Sequence, residues 1–156
     1  MATSARGSFT KANASQRLEG ANREVNRHKE RMESIPNATL EDATRTFESF
    51  MQPIASEYGV EIESLVDGKQ MPPYYLEATE VGNQFDRTTW IGSRMDRPTY
   101  GLTTIHAHPI VGGQWEFAPF SPGDIGFYGR MPNLPHFVTD PTGAYRFDGQ
   151  VERISP

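Results

Sequence analysis

The chain of 156 residues contains no cysteine, which excludes disulfides, thiolate metal sites and cysteine nucleophiles together. It leaves the redox compartment open. No apolar run approaches the length of a membrane span, and Met1 to Phe9 lack the apolar core of a signal peptide. A soluble protein with no membrane partner is therefore expected. Positive charge is also short: 15 Lys and Arg against 20 Asp and Glu leave a net charge of −5. That balance disfavours nucleic acid as a partner, since a general grip on a phosphate backbone needs a basic stripe. Hydrophobic residues make up 36%, enough for one modest core but lean for the whole length, so part of the chain is expected to be a polar extension.

Residues 8–35 fit that extension. Leu18, Ala21, Val25, His28, Met32 and Ile35 alternate by three and four, a helical seam surrounded by charge. Gly20 and His28 weaken it, and the spacing predicts a long, lightly anchored helix that packs on the domain or leads to a partner segment. Residues 1–38 are accordingly read as a polar helical extension or linker, and 39–156 as the main domain. After Ile35, Pro36 and Asn37 break the chain, Thr39 is a helix N-cap with Asp42 three residues on, a weaker capping box. Leu40, Ala43, Phe47, Phe50, Met51, Ile54 and Tyr58 follow at helical spacing, with Pro53 expected to kink the helix or start its last turn afresh and Gly59 to stop it.

Beyond Gly59 the period changes to that of strands. Segments 60–66, 74–81, 87–92, 100–107, 136–139 and 144–149 are predicted strands, punctuated by Gly, Pro and Asp turns, with a short helix after Ser121. The layout is α+β: a long helix packed on a mixed or antiparallel sheet, preceded by the N-terminal helical extension.

Two short strings carry chemistry. His106 and His108 are two apart in a predicted strand, so both imidazoles project from one face, and Pro109 ends the strand directly after them. Ser121, Pro122 and Asp124 form a helix start with proline at the first helical position. Asp124 then lies in the first turn, where the helix dipole keeps its carboxylate ionised. Two histidines and one aspartate are three zinc ligands that leave a fourth position for water, the arrangement of a catalytic zinc site. The proton of that water needs a base, and Glu61 and Glu63, just past the long helix, are the candidates. Ser121 could donate to a developing oxyanion. Taken singly, the His pair also fits a strand with two ordinary imidazoles, and the Ser-Pro-Gly-Asp string fits a plain helix cap. Their order along the chain favours a metal site.

The pattern His106-Ala-His108-Pro109 followed by Ser121-Pro-Gly-Asp124 resembles the JAMM (MPN+/JAB) zinc metalloprotease signature. The likeness spans roughly residues 39–150 and looks closest to the JAB-like domains of bacterial polymorphic toxins. They share the Phe120-Ser-Pro-Gly-Asp-Ile125 string and the turn-and-strand segment Pro141 to Phe147. The spacer from Pro109 to Phe120 is longer than usual and holds Trp115 and Phe117, which suit a lip over the site or core plugs. The resemblance implies a peptidase or isopeptidase with His106, His108 and Asp124 on zinc, Glu61 as base and Ser121 at the oxyanion. It also implies a protein or peptide substrate, delivery as a secreted bacterial effector, and a dedicated immunity protein. A non-catalytic scaffold on the same fold and a metal-dependent nuclease are the alternatives.

Overall fold

The computed structural model describes residues 10, 12–82, 101–110, 134–148 and 150–154. These form two helices packed against a six-stranded mixed sheet: α1 (Ala14–Glu33), α2 (Leu40–Tyr58), β1 (Ile62–Val66), β2 (Glu77–Val81), β3 (Thr103–Ala107), β4 (His136–Asp140), β5 (Gly143–Phe147) and β6 (Val151–Arg153). The strand order is β2-β1-β3-β4-β5-β6. The β3–β4 pair is parallel and the other described pairs are antiparallel. The expected strand at 87–92 and the expected helix after Ser121 lie outside the described residues.

Local chemistry sets the bounds of α2. The Thr39 side chain accepts a hydrogen bond from the Asp42 amide at 2.9 Å, satisfying one of the helix's orphan N–H groups. Gly59 closes the helix in the left-handed region (φ 66°), which glycine adopts without a Cβ clash. Pro53 sits on the exposed side, and α2 runs through it without interruption.

α2 lies on one face of the sheet. Its Ala43, Phe47, Met51, Ile54 and Ala55 share a core with Ile62, Val66, Ile105, Ala107 and Phe137, the residues of β1, β3 and β4 that point toward it. Each large side chain fully withdrawn from water there contributes about 1.5–3 kcal/mol.

α1 joins the same core through Ala14, Ala21, Val25 and Met32 and packs against α2 and β2. Of the two fates expected for this helix, docking on the domain is the one found. Two residues outside the apolar seam tie it down. Arg17 is buried, and its guanidinium donates to the carbonyls of Tyr58 and Gly59, both at 3.1 Å, placing a cation at the negative end of α2. Gly20 lies so close to the Tyr58 ring that a methyl group there would overlap it. At the other end of α1, Glu33 accepts from the Thr79 amide at 3.0 Å, fastening the helix to β2.

Candidate metal centre

The opposite face of the sheet carries Glu63, Thr104, His106 and His136. β1 and β3 pair with Glu63 opposite His106, and on its other side Glu63 is opposite Glu80 of β2. β3 and β4 pair with His106 opposite Val138. Directly paired residues share a face, so Glu80, Glu63, His106 and Val138 form one row across four strands. The next row holds Leu65 and Thr104, and His136 reaches Thr104 from β4.

His106 and His108 are 4% and 3% exposed. Their rings are inclined at 55° with centroids 4.8 Å apart, and the two Nε2 atoms approach to 3.0 Å. Two Zn–N bonds of about 2.0–2.1 Å at a tetrahedral angle would put the nitrogens about 3.3 Å apart. The pair therefore fits two zinc positions with a few tenths of an ångström of opening. The same approach also suits a hydrogen bond, provided one ring carries its proton on Nε2 and the other on Nδ1.

The backbone of His108 is fixed from both sides. Its N–H donates to the Thr139 carbonyl at 2.7 Å, and its carbonyl accepts from Gln52 Nε2 of α2 at 2.9 Å. Glu63 is 9% exposed, whereas Glu61, on the same face two residues earlier, is half-buried and lies just before β1. The Glu61 carbonyl accepts from the Gly82 amide at 2.7 Å. The register thus sets Glu63 beside His106 and Glu61 one step further along.

His136 is fully buried, and its Nδ1 lies 3.0 Å from Thr104 Oγ1. Burial, with a smaller electrostatic contribution from the neighbouring His106, pushes its pKa down to about 4, so the ring is neutral at neutral pH. Nothing in its neighbourhood along the chain signals that it meets Thr104, 32 residues away.

Ser121 and Asp124, the expected oxyanion donor and third ligand, lie outside the described residues, as do Trp115 and Phe117. Among the described residues no group of three or more His, Asp or Glu side chains is arranged to hold a metal ion. No described helix is long and apolar enough to cross a membrane. Comparisons with protein-family models, with curated proteins and with solved structures gave no match.

Proposed function

We propose that the chain is a zinc-dependent hydrolase of peptidase or isopeptidase type, with zinc held by His106, His108 and Asp124. The observation that carries this reading is the approach of two buried Nε2 atoms to 3.0 Å, with Glu63, itself buried, paired with His106 on the adjoining strand. Two imidazoles are costly to bury unless each ring nitrogen has a use, and ligation is one such use. Zinc bound there would polarise a scissile carbonyl and lower the pKa of a water to about 7. The protein's own part is to fix the two rings, exclude bulk water from around them and hold a proton on a carboxylate. Glu61 takes that last role by family resemblance; pairing with His106 supports Glu63. Ser121 would donate to the oxyanion. A protein or peptide substrate, a toxin-effector context and an immunity partner rest on the family resemblance alone.

The second reading is a binding module without catalysis, and one observation favours it. At 3.0 Å the two rings can satisfy each other by a hydrogen bond with no metal present. Metal analysis of protein purified without affinity metals separates the two. About one zinc per chain is expected, lost on His106→Ala or Asp124→Ala; a zinc-free protein that shows no thermal shift with added zinc overturns the metal reading. If zinc binds but Glu61→Gln and Glu63→Gln both leave activity or toxicity untouched, the module reading stands. Incubation with nucleic acid tests the nuclease alternative.

A further inference from the structure

His108 lies one residue past the end of β3, and the pairing with β1 ends at Ile62 opposite Ala107. The described β1–β3 ladder thus stops one residue short of the peptide that carries this ring. Pro109 follows and has no N–H to extend the ladder. The carbonyl of His108 is taken instead by α2, through Gln52 Nε2 at 2.9 Å. The amide that does this is itself oriented: Gln52 Oε1 accepts from Thr139 Oγ1 at 2.6 Å, and Nε2 also donates to Ser56 Oγ at 3.0 Å. Thr139 in turn supplies, from its backbone carbonyl, the acceptor for the His108 N–H. Gln52 is 8% exposed and Thr139 fully buried. A glutamine buried on the apolar face of a helix costs stability unless its amide is fully used, and here both ends of the amide serve one purpose.

We propose that Gln52 and Thr139 are positioning residues for His108, a clamp on the helix side of the sheet that aims the imidazole on the other side. The inference rests on the metal reading above. With the peptide held at both its N–H and its carbonyl, the ring's origin is fixed, and Nε2 meets that of His106 without a search. Groups that orient a ligand without touching the metal are typically worth 10–100-fold in affinity.

The test is zinc affinity, measured by competition with a chromophoric chelator, in Gln52→Met, Thr139→Val and Ser64→Ala. Ser64 makes a buried hydroxyl contact of 2.7 Å with Thr79 on the same side of the sheet and serves as the stability control. Gln52→Met and the milder Thr139→Val should weaken zinc about 10–100-fold, while Ser64→Ala leaves affinity unchanged although its melting temperature falls. Wild-type affinity in Thr139→Val and in folded Gln52→Met overturns the clamp. If the wild type binds no zinc, the metal reading falls by itself. The His108 ring resonances of the metal-free protein then decide the clamp: displaced or broadened in Gln52→Met or Thr139→Val supports it, unmoved in both overturns it.

Discussion

Along β1, β3 and β4 both faces of the sheet are withdrawn from water, but their chemistry differs: one is mostly apolar, while the other sets titratable and polar groups beside Leu65 and Val138. Ile62, Val66, Ile105, Ala107 and Phe137 point to the helices; Glu63, Thr104, His106 and His136, interleaved with them along the same strands, point away and are buried too. Burial favours the first set through the hydrophobic effect and penalises the second unless each polar group is engaged. Strand alternation lets one segment serve both ends, stability on one side and chemistry on the other. A cluster of buried histidines and a carboxylate that adds nothing to a core is a reason to look for a ligand.

The sharpest way to break that comparison is to cut equally deep on both faces. Phe137→Ala, on the helix side, should cost about 3–5 kcal/mol in chemical denaturation, from lost burial and the cavity left behind. His106→Ala, one strand over on the polar side, should cost the metal-free protein much less while abolishing zinc uptake. Equal losses of stability would mean the polar face is simply a second core.

Acid sharpens the contrast further. His136 takes up a proton near pH 6.5 when unfolded but only near pH 4 when folded. Between those values the unfolded chain binds more protons, so stability falls as pH falls, by about 3 kcal/mol in all, and the contribution is fully present above pH 6.5. Denaturation of metal-free protein across that range should show the decline. His136→Gln, which cannot titrate, should flatten it; an unchanged slope in the variant would assign the acid sensitivity elsewhere.

The elements were legible in the sequence where their causes are local. Thr39 and Gly59 mark α2 because caps act within a turn, and the alternation in residues 62–66 and 103–107 marks strands because side chains there answer to one face or the other. β6, Val151–Arg153, escaped because three residues are too few for a period to show. The seam of α1 left docking on the domain as one of two outcomes, and what fastens the helix was not legible: Arg17 and Gly20 lie off the apolar seam, and their burial makes sense beside Tyr58, about forty residues on. For the candidate site, the pairing of His106 with His108 follows from a spacing of two. The placement of Glu63 beside His106, and the help given by Gln52 and Thr139, depend on register and on contacts between distant segments that no local pattern encodes.

The smallest expected effect tests whether the two faces are separable at all. Thr39 caps the opposite end of α2 from Gln52, so Thr39→Ala removes one hydrogen bond to an orphan amide and should cost about 1 kcal/mol. That loss falls on the helix that covers the apolar face and holds the His108 carbonyl through Gln52. If the cap and the clamp act independently, Thr39→Ala lowers the denaturation midpoint and leaves zinc affinity as in the wild type. If zinc affinity falls with it, fraying of the first turn propagates along α2 to Gln52. The helix would then be one rigid lever between stability and site, not a lid over the core with a clamp attached.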